Sequence, residues 1–239
     1  MSQPAPARTR GGGRAAASAE TPVDYGGWGS RSWVALVVTG AFVLAVIGSG
    51  LLIEKGLQQQ VPQALAGCKT SPQIGPHEFA GPQPICIKPG QTFDVTVNTT
   101  QGPIVIHLYP EIAPVTVNNF LILATHGFYN GLTFWKSEDW VVQTGDPNND
   151  GTGGPGYNLP DEPNYSPAWG LAAVGMARVP TGGVNGSQFF LEKAPWPGSG
   201  PNTVYNRFGT VTSGMEHVQL LSATDTVTSI TVKVGLISG

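Results

Sequence analysis

At 239 residues with 40% apolar content, the chain is long enough for one substantial core plus attachments and too short for two full domains. Charged residues are only 11%, while 33 glycines and 21 prolines exceed ordinary usage, a balance that disfavours long surface helices and favours short strands joined by turns. Net charge is −3 overall and −6 from Thr92 onward, where five Lys and Arg stand against eleven Asp and Glu; a surface of that sign repels phosphate backbones and excludes nucleic acid as a partner.

Residues 1–32 are rich in Ala, Gly, Pro and Arg without an apolar period, so they are expected to remain a disordered cytoplasmic tail. Residues 33–53 follow as 21 positions without a charged side chain, which matches the roughly 20 residues a helix needs to cross a bilayer. Arg8, Arg10, Arg14 and Arg31 precede this run, whereas Glu54 and Lys55 cancel just after it. The positive-inside rule therefore places the N-terminus in the cytoplasm and everything after Lys55 outside it, with the lipid bilayer as a partner of residues 33–53. The run exceeds the roughly 7–15 apolar residues of a cleaved signal peptide, so a retained single-pass anchor in the cell membrane is expected. Leu65-Ala66-Gly67-Cys68 has the letters of a lipobox but lies too far beyond the apolar run, and is read as chance.

Residues 54–90, dense in Gln, Pro and Gly, read as a stalk or loosely packed collar. The only two cysteines, Cys68 and Cys86, fall on the exported side, where a disulfide persists, and they are expected to pair. The folded domain is placed at residues 91–239. Within it, residues 93–97 and 104–108 alternate apolar and polar at period two around Gln101-Gly102-Pro103, the pattern of paired strands. Residues 114–126 carry Val117, Phe120, Leu121 and Ala124 at helical spacing, open on Pro114 and stop at Gly127. Asn130-Gly131 offers a type I′ hairpin signal before residues 133–135. Further short strands are expected at residues 141–144, 170–177, 187–191 and 208–211. Ser213-Gly214-Met215-Glu216 reads as a capping box ahead of Val218, Leu220 and Leu221, and residues 230–236 alternate again as a closing strand. Many short strands around two helices predict a mainly β domain, a closed antiparallel barrel with a helix over each open end; the pattern alone also permits an α+β sandwich.

Gly151, Gly153 and Gly156 fit G-x-G-x-x-G, but Pro155 lies inside the motif and Asn158-Leu159-Pro160 follows, so no helix opens there as a dinucleotide site requires. A glycine-rich loop needing positive φ fits better. His77, His107, His126 and His217 lack ligand spacing, so neither metal nor cofactor is expected, and no G-x-S-x-G elbow supports hydrolysis.

Taken in order, Asn118-Asn119-Phe120, Gly127 to Phe134 (GFYNGLTF), Val142 to Pro147 (VQTGDP), Gly151 to Tyr157 (GTGGPGY), Asp161-Glu162, Gly175-Met176-Ala177, Gly186 to Phe190 (GSQFF) and Phe208 to Val211 (FGTV) resemble the cyclophilin family of peptidyl-prolyl cis/trans isomerases over about residues 92–236. The resemblance implies an eight-stranded barrel capped by two helices. It also implies a groove that takes proline-containing polypeptides, with Lys136, Gln143, Phe190 and Tyr205 as catalytic positions and Trp140, Val141, Ala177, Arg178, Gln188 and Trp196 as substrate contacts. Trp140, Val141, Gln143, Gln188 and Phe190 are expected to converge on one open cleft with the ammonium of Lys136 at its lip.

The task implied is rotation of an X-Pro bond against a barrier of about 18–20 kcal/mol. Val141, Phe190 and Trp140 would hold the proline ring and Gln143 the substrate carbonyl, while exclusion of water favours the twisted amide. The family's arginine is Lys136 here, within Phe134-Trp135-Lys136, and Tyr205 stands where many members have histidine. Lysine keeps the charge but loses the planar fork of donors, so weaker turnover with preserved proline binding is expected. The competing reading is a non-catalytic cyclophilin-like scaffold joined to membrane-complex subunits.

Overall fold

The computed structural model describes residues 65, 67–162, 168–179, 182–198 and 205–236. The tail of residues 1–32 and the apolar run of residues 33–53 lie outside the described residues, among which no helix is long and apolar enough to cross a membrane. The chain divides into two compact units, Met1–Gly56 and Leu57–Gly239, and only the second is described below.

Two short strands, β1 (Gln73–Gly75) and β2 (Glu78–Phe79), form a hairpin ahead of the main sheet. Next come β3 (Gln91–Thr99), β4 (Gly102–Leu108), helix α1 (Pro114–Thr125), β5 (Lys136–Ser137), β6 (Val141–Thr144), β7 (Asn158–Leu159), β8 (Ala173–Arg178), β9 (Val184–Glu192), β10 (Arg207–Ser213), helix α2 (Met215–Leu220) and β11 (Val227–Leu236). Eight of these strands run antiparallel in the order β11-β3-β4-β10-β8-β9-β6-β5, and β7 pairs with β9 off that path. The ladder does not close on itself. Instead its ends meet through an isolated bridge, Thr133 with Thr226, and through Phe134 N–H to the Asp225 carbonyl at 2.9 Å and Val227 N–H to the Leu132 carbonyl at 2.9 Å. The result is a curled sheet shut by a loop contact rather than by a ninth ladder.

Strand β3 shows why the period-two reading works: its residues alternate buried and half-buried along the whole length, with Phe93, Val95 and Val97 pointing into the core. Strand β9 breaks the alternation, being buried at all nine positions. One of its faces meets the core through Phe189 and Leu191, and the other is covered by the residues of the candidate site.

Helix α1 is buried almost all round, polar residues included. Its N-terminus is capped from a distance: Glu162 accepts Val115 N–H at 2.9 Å and both Thr116 N–H (2.8 Å) and Thr116 Oγ1 (2.7 Å). Its C-terminus ends in a Schellman arrangement, with Phe128 N–H to the Leu123 carbonyl, Gly127 N–H to the Ala124 carbonyl, and Gly127 at φ +70°.

Two local expectations are corrected. Asn130 does not take positive φ, so Asn130-Gly131 is not a type I′ turn; Gly131 alone is left-handed, and residues 133–135 form no ladder strand. Ser213 ends β10 and caps nothing: the N-cap of α2 is Gly214 at φ +86°, where a Cβ would lie 2.4 Å from the Pro103 carbonyl oxygen. Proximity to that backbone demands glycine and leaves the capping box unmade.

The described part of residues 54–90 packs on the barrel rather than standing off it. Leu65 and Phe79 join the main core, Asn118 of α1 accepts Cys86 N–H (2.7 Å) and Ile87 N–H (3.2 Å), and Cys68 and Cys86 are joined in a disulfide across a Cα separation of 5.7 Å.

Candidate active site

Alternation along β6, β8 and β9 divides their side chains between two faces. Val142, Val174, Met176, Phe189 and Leu191 enter the main core, whereas Val141, Ala177 and Phe190 form a second apolar cluster on the outer face, against which Trp140, Trp169, Trp196 and Tyr205 pack. Register brings these together: Gln143 lies opposite Phe190, Gly175 opposite Phe190, and Lys136 opposite Gln143. Gly175 is required here, since a Cβ would sit 2.6 Å from both the Phe190 and Trp169 rings.

Trp140, Val141, Ala177, Phe190, Trp196 and Tyr205 gather on this face with Gln143 and Lys136 in register beside them, whereas Gln188 and Arg178 are engaged elsewhere. The cleft is not open: Val141, Ala177 and Phe190 are 3%, 6% and 4% exposed. Trp169 stacks on Phe190 (centroids 5.6 Å, 23°), Tyr205 meets Phe190 edge-on at 5.5 Å, and Trp140 and Trp196 touch at 4.6 Å. These rings remove more apolar surface from water by packing on one another than by lining an open trough.

The polar members are arranged around this cluster. Gln143 Nε2 donates to Gln188 Oε1 at 2.8 Å, and Gln188 Nε2 donates in turn to the carbonyls of Gly151 (3.1 Å) and Gly153 (2.8 Å). Gln188, only 2% exposed, spends its amide on the glycine loop and on Gln143, so it supports Gln143 rather than facing the cleft. Half-buried Gln143 keeps its second amide hydrogen. Lys136 Nζ pairs with Glu138 Oε1 at 3.1 Å, and Glu138 Oε2 accepts Trp140 Nε1–H at 2.8 Å, so Glu138 links cation and indole on the β5–β6 turn. Arg178 is engaged by Asp161 at 2.5 Å and by the Gly182 carbonyl, holding the turn after β8. Burial raises the Tyr205 phenol above its ordinary pKa, against the opposing pull of Arg178, so it remains a neutral donor.

The glycine loop is organised by Asp146, fully buried and accepting the backbone N–H groups of Asn148 (2.8 Å), Asp150 (3.0 Å), Gly151 (2.5 Å) and Gly153 (2.9 Å). Gly151 and Gly156 take positive φ, as a turning loop requires, and a Cβ on Gly153 would strike Asp146 Oδ1.

Sequence reasoning missed Trp169, Glu138 and the role of Asp146. Asp146 lay inside a recognised motif and its carboxylate just before a glycine-rich run was the available signal; Trp169 sits in a stretch without periodicity or motif, and nothing local marks it. Among the described residues no group of His, Cys, Asp and Glu is placed to hold a metal.

The outer face of β6, β8 and β9 thus carries a buried apolar patch rimmed by an amide and a cation. The family model of the cyclophilin type peptidyl-prolyl cis-trans isomerases matches residues 92–237. The chain is 42% identical over 130 residues to peptidyl-prolyl cis-trans isomerase B of Bacillus subtilis, covering 53% of this chain and 87% of that protein. It is 37% identical over 138 residues to peptidyl-prolyl cis-trans isomerase-like 1 of Aspergillus fumigatus, covering 56% and 84%. In fold it is similar to a crystal structure of a cyclophilin type isomerase of Cryptosporidium parvum, with TM-score 0.54 and 24% identity over 59% of this chain and 98% of that one. The chain belongs to the cyclophilin type peptidyl-prolyl cis-trans isomerase family. It is a peptidyl-prolyl cis-trans isomerase.

Proposed function

We propose that this isomerase acts on polypeptides outside the cytoplasm while tethered by residues 33–53, and that its turnover is reduced because Lys136 replaces the family's arginine. The observation that carries the site assignment is the outer-face cluster of Val141, Ala177 and Phe190 directly beside Gln143 and Lys136. A proline ring exchanges its water shell for this aromatic surface, displacing ring–ring packing of similar kind. Gln143 donates its free hydrogen to the carbonyl of the residue before or at proline, and the Lys136 ammonium lowers electron density at the prolyl nitrogen as the amide twists. Each acts where resonance is lost, and a desolvated setting strengthens both. Arg178 and Gln188 serve through the turns they hold, and Tyr205 and Trp196 through the aromatic wall.

The tether rests on the uncharged run and the arginines before it. A protease-coupled assay with a proline tetrapeptide on the full chain in detergent tests the chemistry, and proteolysis of intact cells before and after lysis tests the topology. Turnover unaffected by Lys136→Ala, or a domain protected until lysis, refutes the corresponding half.

A further inference from the structure

Strand β5, which carries Lys136, is two residues long and lies at the edge of the sheet, joined to β6 by only two residue pairs. So short an edge strand is weakly held by its ladder alone. Lys193, just beyond β9 and 8% exposed, supplies the missing restraint. Its backbone N–H donates to the Trp140 carbonyl at 2.7 Å, its ammonium donates to Ser137 Oγ at 2.9 Å and to the Leu221 carbonyl at 2.8 Å, and its own carbonyl accepts Gln219 Nε2 at 2.6 Å. Ser137 Oγ in turn donates to the same Leu221 carbonyl at 3.1 Å.

The choice of residue is informative. Burial pushes the ammonium of Lys193 below its ordinary pKa, with Asp139 and Asp225 pulling the other way, and a buried cation is retained only where acceptors surround it. One acceptor is a carbonyl at the C-terminal end of α2, which carries negative partial charge and no intrahelical donor. The other belongs to the residue next to Lys136, and the backbone bond reaches the residue before Val141.

We infer that Lys193 is a positioning residue for the isomerisation: it pins the β5–β6 turn to the end of α2 so that Lys136 and Trp140 keep their places at the cleft. The inference rests on the reading that Lys136 acts on the substrate, and the test separates the two. A double-mutant cycle on the full chain uses Lys193→Met, which keeps length and apolar stem, Lys136→Ala, and the pair, with kcat and KM measured separately on a proline tetrapeptide. Lys193→Met is expected to lower kcat about tenfold with KM changed less than about twofold, and to add less than about twofold in the Lys136→Ala background, because misplacement of a group already removed costs nothing. Lys193→Arg, whose fork can reach both acceptors, is expected to restore kcat to within about threefold of the parent.

If the Met variant fails to fold, Ser137→Ala removes one acceptor alone and is expected to reduce kcat by about threefold, silently in the Lys136→Ala background. Equal losses in both backgrounds, or an unchanged kcat, overturn the positioning role while leaving Lys136 in place. A Lys136→Ala variant with parental kcat overturns both.

Discussion

Lys136 and Gln143 face each other across the β5–β6 ladder, which sets a cation and a carboxamide side by side at the edge of the Phe190 aromatic cluster. Neither is aligned by its own strand alone: Gln143 is steered by Gln188 and Lys136 by Glu138. Preorganisation of this kind matters because donors that are already aimed need not reorganise as the peptide bond twists.

From this pairing, Lys136→Arg is expected to raise kcat several-fold and Lys136→Ala to lower it about tenfold, each with little change in peptide affinity. Turnover assays paired with calorimetric titration of an unreactive proline peptide check it; equal changes in kcat and affinity would show that Lys136 binds rather than catalyses.

Trp169 is the wall that stacks on Phe190, and Gly175 is the floor that admits both rings. Trp169→Ala is expected to raise KM and to cost about 2 kcal/mol of stability, less than a fully buried tryptophan because one side of the ring is wet. Gly175→Ala displaces the rings without touching the inner core, so it should depress affinity more than stability. Parental KM in both variants rules out this wall as part of the site.

Burial pushes the Glu192 carboxyl from 4.5 up to about 7, against the opposing pull of a Gly170 backbone N–H and the Arg207 guanidinium. A carboxyl with a raised folded pKa keeps its proton where the unfolded chain has already lost it. The native state therefore binds more protons between about pH 4.5 and 7, and stability falls as pH rises through that window. The loss from this group is about 3 kcal/mol when complete. Glu192→Gln should flatten this part of the profile and be more stable than the parent at pH 8, measured by urea unfolding across the range. Parallel profiles for the two proteins would exclude Glu192 as the source.

The Cys68–Cys86 disulfide closes a separation of 18 residues and ties the β1–β2 segment beside α1. Reduction, or replacement of both cysteines by serine, is expected to cost about 3 kcal/mol through loop-closure entropy. Urea midpoints with and without reductant measure it, and identical midpoints would mean the segment is held by Asn118 and Phe79 alone.

Much of the fold is legible in the sequence where a physical pattern is local. Residues 141–144 read as a strand and are one, and α1 runs from Pro114 to Thr125 because proline suits a first turn and Gly127 accepts a left-handed exit. The ordered motifs around Gln143, Gln188 and Phe190 likewise fall on strands β6 and β9, where the period-two pattern put strands. Where the capping-box signal failed, a distant contact had displaced it, since the Pro103 carbonyl made Gly214 the cap of α2; at α1, for which no local cap was read, Glu162 caps from 46 residues away along the chain at Thr116.

What the sequence determined by itself was the order of strands and helices and the family, because side-chain period and turn chemistry act over a few positions. Tertiary structure alone decided that the curled sheet shuts at Thr133 and Thr226, that Trp169 covers Phe190, and that Lys193 braces the strand bearing Lys136. Those contacts join segments many residues apart, and they exist only once strand register and curl have set which outer faces meet.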